Sequence, residues 1–149
     1  MPAILEAFAV TYLEKNPLHH MDMLVPILRG SAEIIAANSR GVLLLEKESG
    51  AYLLTVSAPQ YASAFFDHLK NPCLMTVHQD FLIKEAAHRF GLCAHLLGNQ
   101  AVWLRPAPPL MPKTDCHIEA LKPEMTAEVC ALYSLDLGAE YIRSRILAQ

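Results

Sequence analysis

Residues 31 to 56 read Ser-Ala-Glu-Ile-Ile-Ala-Ala-Asn-Ser-Arg-Gly-Val-Leu-Leu-Leu-Glu-Lys-Glu-Ser-Gly-Ala-Tyr-Leu-Leu-Thr-Val, and this stretch decides the fold. Three apolar runs, Ala32 to Ala37, Val42 to Leu45 and Ala51 to Val56, are separated by Asn38-Ser39-Arg40-Gly41 and Glu46-Lys47-Glu48-Ser49-Gly50. Short runs punctuated by Asn, Ser and Gly predict consecutive antiparallel strands, because these residues accept turn conformations that bulky ones resist. The middle run, Val-Leu-Leu-Leu, is apolar at every position, so both of its faces need cover, and helices from elsewhere must supply it. The predicted fold class is α+β, with a mixed, largely antiparallel sheet flanked by helices.

The flanking sequence supplies those helices. Ile4, Leu5, Phe8, Tyr12 and Leu13 share a helical stripe, with Glu6, Glu14 and Lys15 away from it. Asn16-Pro17 offers a cap and a proline suited to a first turn, and Met21, Leu24, Val25 and Leu28 continue a second helix to Gly30. Pro26 inside that helix predicts a kink or an early break. After the meander, Ser57 is placed to cap a helix starting near Pro59, whose buried stripe is Ala62, Phe65, Phe66 and Leu69. Cys73 to Val77 has strand character. Asp80 is placed to cap a helix lined by Leu82, Ile83, Ala86, Ala87 and Phe90 and closed by Gly91. Leu92 to Leu97, Gly98-Asn99 and Gln100 to Arg105 have the pattern of a hairpin.

Residues 105 to 112, Arg-Pro-Ala-Pro-Pro-Leu-Met-Pro, hold four of the ten prolines, a density that favours a stiff extended connector. The expected organisation is a domain over 1–105, a linker over 106–114, and a strand-helix-helix segment over 115–149. In that last segment Cys116, Ile118 and Ala120 alternate with polar residues, Pro123 opens a helix carrying Met125, Val129, Leu132 and Tyr133, and Ala139, Ile142 and Ile146 mark another. Such a segment is too short for an independent core and must lean on the first part, another copy or a missing partner.

Composition narrows the function classes. With 53% apolar residues and a mean hydropathy of +0.24, the 149 residues have ample material for a core. A net charge of −3 with scattered Lys and Arg argues against a nucleic-acid partner. No basic segment followed by an apolar core opens the chain, and no apolar run reaches the ~18 residues of a membrane span, so a cytoplasmic location is expected. Cys73, Cys93, Cys116 and Cys130 form no CxxC pair and are expected as reduced, small core hydrophobes.

Candidate chemistry is sparse. His19, His20 and Asp22 have metal-donor side chains, but adjacent histidines in a helix point about 100° apart, which predicts a polar first turn instead. Cys73 with His78, and Cys116 beside His117, pair a nucleophile with a base in composition only; neighbours in a strand face opposite ways. His68, His88 and His95 are expected as partly exposed side chains, Trp103 as a core or interface anchor, and Glu46-Lys47-Glu48 as a solvated turn. No catalytic, cofactor-binding or metal-ligating residue is assigned from these patterns.

Helix, helix, three strands, helix, strand, helix, hairpin is an order that resembles the GNAT superfamily of N-acetyltransferases with its first strand absent. Asn16-Pro17-Leu18, Met21-Asp22-Met23-Leu24, Arg29-Gly30-Ser31-Ala32-Glu33-Ile34 and Ser49-Gly50-Ala51-Tyr52 resemble the N-terminal half of bacterial two-part GNAT-like proteins. Asp115 to Gln149, ending Glu140-Tyr141-Ile142-Arg143-Ser144-Arg145, resembles the opening strand and helices of the second domain. The resemblance implies a GNAT-like fold and acetyl transfer from acetyl-CoA to an amine in the full-length protein. It also implies a pyrophosphate loop, Gln or Arg, two spacers, Gly, one spacer, Gly or Ala, between the fourth family strand and the next helix. Glycines there let N–H groups approach the phosphates. This chain has Val56-Ser57-Ala58-Pro59-Gln60-Tyr61 at that place, and no Tyr between Tyr61 and Tyr133 to match the family's frequent general acid. The expectation is therefore an inactive scaffold or substrate-side module without its own cofactor. Its expected partner is a missing C-terminal GNAT domain or, as the alternative, a second copy in a noncatalytic homodimer, whose open sheet edge the strand Cys116 to Leu121 would fill.

Overall fold

The structure, a computed structural model, describes residues 2–93, 97–98, 120–132 and 139–147. It divides into two units, Met1–Val102 and Trp103–Gln149. In the first, the meander forms as expected: β1 (Ala32–Asn38), β2 (Gly41–Glu46) and β3 (Ala51–Val56) pair antiparallel in sequence order, and β4 (Met75–Val77) joins β3 in parallel. Asn38 makes the first turn by accepting the Arg40 N–H on Oδ1 at 2.7 Å. The Glu46 carboxylate closes the second by accepting the Ser49 N–H and hydroxyl at 2.7 and 2.6 Å.

Gly41 is required where β2 meets β3, because a Cβ there would lie 2.5 Å from the Thr55 carbonyl oxygen. β1 carries an irregularity between Ile34 and Ala36, opposite Leu44 and Leu43, so Ile35 is an extra residue. The bulge sends Ile34 and Ala37 to one face of the sheet and Ile35 and Ala36 to the other.

Helices cover both faces. α1 (Pro2–Leu13) and α2 (Met21–Arg29) place Ala9, Tyr12, Leu13, Met23, Leu24 and Ile27 on Val42, Leu44, Ala51 and Leu53. On the opposite face α3 (Ala62–Phe66), preceded by a 3-10 turn at Pro59–Tyr61, and α4 (Asp80–Phe90) cover Leu43, Leu54 and Val56. The predicted stripe Ala62, Phe65, Phe66, Leu69 is buried as a set. Leu43 and Leu44 are both fully buried yet belong to different clusters, as the uninterrupted apolar run requires.

Several expectations are corrected. α1 buries Ala9, Tyr12 and Leu13 and leaves Ile4 and Phe8 exposed; its residues are apolar on nearly every side, so periodicity cannot select the buried face. Asn16 does not cap α2. It closes a separate turn, accepting His20 N–H on its carbonyl at 3.2 Å, and the helix begins at Met21. Leu28 is exposed in place of Met23 and Ile27. Pro26 does not break α2, because the single bond it forgoes falls on the first turn. Gly30, at φ 72°, then ends the helix, with Ser31 N–H on the Pro26 carbonyl at 3.0 Å. Ser57 makes no cap, and an extended Ala58 precedes the 3-10 turn; Asp80 is likewise no cap but the first residue of α4, with an extended Gln79 before it. Cys73 and Cys93 are exposed and Cys130 half-buried, so these thiols are not core hydrophobes.

The second unit contains a 3-10 turn at Pro123–Met125, α5 (Thr126–Leu132) and α6 (Ala139–Leu147). The Thr126 hydroxyl donates to the Pro123 carbonyl at 2.6 Å, and Ile142 and Ile146, one turn apart, are buried. The hairpin residues 94–96 and 99–105, Trp103, His95, the linker 106–114, and Cys116 and His117 of the expected strand lie outside the described residues; Ala120 to Lys122 are irregular.

Candidate functional site

The polar residues of the first unit converge where β3 and β4 end. Along β3, Ala51, Leu53 and Thr55 point to the α1–α2 face with period two, so Thr55 places the one hydroxyl of that row in an apolar layer, fully buried. A buried hydroxyl without partners costs roughly 1–3 kcal/mol, so the surroundings must answer it. The Asn16 turn does so by delivering His20, 6% exposed, whose Nε2 lies 3.2 Å from Thr55 Oγ1. The Gln79 side chain, just past β4, donates to the same oxygen at 2.9 Å.

Donors and acceptors assign one polarity to this chain of bonds. The Leu13 carbonyl, 3.0 Å from His20 Nδ1, only accepts, so Nδ1 carries the hydrogen and Nε2 a lone pair. The Val56 N–H only donates, and it meets Gln79 Oε1 at 3.0 Å, which turns the amide nitrogen toward Thr55. Thr55 then gives its own hydrogen to His20 Nε2. The network suits a neutral imidazole, and burial, helped by repulsion from His78 and His19, pulls the His20 pKa below its ordinary value against the Leu13 bond. Burial raises the Tyr12 phenol, partly offset by its hydrogen bond with Thr55.

Beside this network stands a second pair. His78 follows β4, its N–H on the Leu54 carbonyl at 3.1 Å, and its Nε2 lies 3.1 Å from Asp22 Oδ2 in the first turn of α2. The His78 side chain is 5% exposed, and the other carboxylate oxygen, Asp22 Oδ1, is buried without a hydrogen-bond partner. His19 completes the group: its ring centroid is 4.9 Å from those of both His20 and His78, and one nitrogen from each imidazole lies within 4.8 Å of the others.

His19, His20 and Asp22 thus enter one site, but not by the helical geometry expected of them. The histidines precede α2, so the 100° rotation does not apply, and Asp22 reaches His78 rather than His20. Cys73 does not join His78; it is exposed, its thiol 4.0 Å from the Asn71 carbonyl. His68 and His88 are exposed, as expected. Thr55 and Gln79 carry no expectation from the sequence, and His78 is weighed there only beside Cys73. The available signal was a threonine in an apolar strand row and a His-Gln-Asp triplet directly after a short strand.

The loop Val56–Tyr61 lies at the same end of β3. Ser57 N–H donates to the Arg40 carbonyl at 2.7 Å and Tyr61 N–H to the Ala58 carbonyl at 3.1 Å, while Val56 N–H is held by Gln79 and Pro59 has none. The Arg40 guanidinium stacks 4.7 Å from the Tyr61 ring centroid. No helix among the described residues is long and apolar enough to cross a membrane. No family model, curated protein or solved structure matches this chain.

Proposed function

We propose that this chain is the N-terminal region of a GNAT-like N-acetyltransferase, a scaffold or substrate-side module for a C-terminal domain that moves an acetyl group from acetyl-CoA to an amine. Support comes from the element order: two helices, three antiparallel strands, a crossover helix, a parallel strand and a further helix. The observation that carries the division of labour is the β3–α3 loop. A pyrophosphate grip needs several N–H groups aimed outward. Here Val56, Ser57 and Tyr61 spend theirs within the protein and Pro59 offers none, which leaves at most Ala58 and Gln60.

The test is acetyl transfer by this chain and by the full product of its source reading frame, followed as thiol release from acetyl-CoA in the presence of an amine panel. Activity in a longer product carrying a glycine-containing loop, and none in this chain, is the expected pattern. Turnover by this chain alone refutes the proposal, as does a longer product without transfer activity.

One observation favours a second reading, a noncatalytic module that dimerises. β1 has β2 as its only neighbour among the described residues, and an open strand edge invites addition. Light scattering at two concentrations separates the readings, since a mass that doubles with concentration supports the dimer.

A further inference from the structure

The geometry points to a transition-metal site: we propose that His19, His20 and His78 bind one zinc-class divalent cation, with Asp22 positioning His78. The inference is independent of the acetyltransferase reading. Three imidazoles already converge from two distant parts of the chain, each with one nitrogen within 4.8 Å of the other two. A tetrahedral zinc with Zn–N bonds of about 2.0–2.1 Å sets its ligand nitrogens about 3.3 Å apart. Closing the difference requires a side chain that can shift, and His19 is the exposed member, carried on the Asn16 turn.

The surroundings are those of a ligand set. Metal-binding imidazoles usually donate their other N–H to a backbone carbonyl or a carboxylate, which fixes the tautomer and the ring. His20 donates Nδ1–H to the Leu13 carbonyl, and His78 is held through Nε2 by Asp22 Oδ2. Two of the three rings are thus locked by partners of the two commonest kinds. The His20 Nε2 lone pair now accepts the Thr55 hydroxyl hydrogen, and that hydroxyl has the Tyr12 phenol oxygen as an alternative partner, so the lone pair can be released.

Asp22 Oδ1 is the second observation. The Asp22 Oδ2 meets His78 while Oδ1 is buried without a hydrogen-bond partner, so the carboxylate is only half answered, and positive charge drawn onto the His78 ring by a bound cation would offset that cost. Imidazole donors select zinc, copper, nickel or iron over calcium or magnesium, which take oxygen ligands.

The experiment is calorimetric titration of zinc chloride into the chelator-stripped chain. One equivalent binds, and His19→Ala and His78→Ala each weaken binding more than about 100-fold, beyond the usual range for an outer partner. Asp22→Asn weakens it about 10- to 100-fold, and His68→Ala, an exposed histidine elsewhere, changes nothing. Because His19 is exposed, its alanine variant keeps the fold, which circular dichroism verifies. Failure of the wild-type chain to bind one equivalent overturns the proposal, as does equal binding by the His19→Ala and His78→Ala variants.

Discussion

Replacing Thr55 with valine exchanges a hydroxyl for a methyl in a position that is fully buried, and the two accounts of that position predict opposite signs. If Thr55 were only a β-branched core residue, the added apolar contact would stabilise the fold by up to about 0.8 kcal/mol. In the network described above, the change strips His20 Nε2 of its donor, the Gln79 amide of its acceptor and the Tyr12 phenol of its hydroxyl partner. Gln79 is half-buried and turns to water at little cost, whereas His20 is 6% exposed and has no other donor within its bonds. Leaving one such group unanswered costs about 1–3 kcal/mol, which exceeds the methyl gain. Urea unfolding of the metal-free chain should therefore show Thr55→Val destabilised by roughly 1–2 kcal/mol with an unchanged m-value. A cycle with His20→Leu adds a second reading: in the His20→Leu background the valine should cost less than in wild type, because one stranded partner, the imidazole, is gone while the Tyr12 bond is lost in both. A Thr55→Val chain as stable as wild type, or more stable, refutes the network.

The remaining predictions are independent of that bond. Leu43→Ala and Leu44→Ala should each cost about 2–5 kcal/mol by denaturant unfolding, since the two side chains fill opposite fully buried faces of β2; a loss below 1 kcal/mol at either position would mean that face is uncovered. With chelator present, unfolding free energy should rise with pH up to about 6.5, the ordinary histidine value, and level off above it. The sign follows from His20: its folded pKa is depressed, chiefly by burial, so below 6.5 the unfolded chain binds the extra proton and stability is lost as pH falls. The slope from this one group is at most about 1.4 kcal/mol per pH unit, and His20→Leu should remove it. A slope that survives the substitution contradicts the assignment.

Much of the sheet was legible because local chemistry and burial agree there. Asn38 and Gly50 mark the turns, the run Val42–Leu44 is apolar on both faces, and Ala62, Phe65, Phe66 and Leu69 keep the helical period. The orientation of α1 was not legible, because Ile4 and Phe8 are as apolar as the residues it buries. Nor was the bulge at Ile35, which a row of Ile and Ala leaves unmarked. The polar site was hidden for a different reason. Whether His19 and His20 diverge or converge depends on where α2 starts, and that start is displaced to Met21 by the Asn16 turn. Their partners Thr55, His78 and Gln79 come from β3 and from the segment after β4, so only the parallel pairing of those strands brings them together.

The proposed division of labour rests on a loop whose N–H groups are spent inside the protein, and direct titration of acetyl-CoA into the 149-residue chain tests it most directly. The account predicts no heat beyond dilution at millimolar cofactor, with Val56 to Tyr61 unperturbed. Saturable binding with a low-micromolar Kd, centred on that loop, would contradict it.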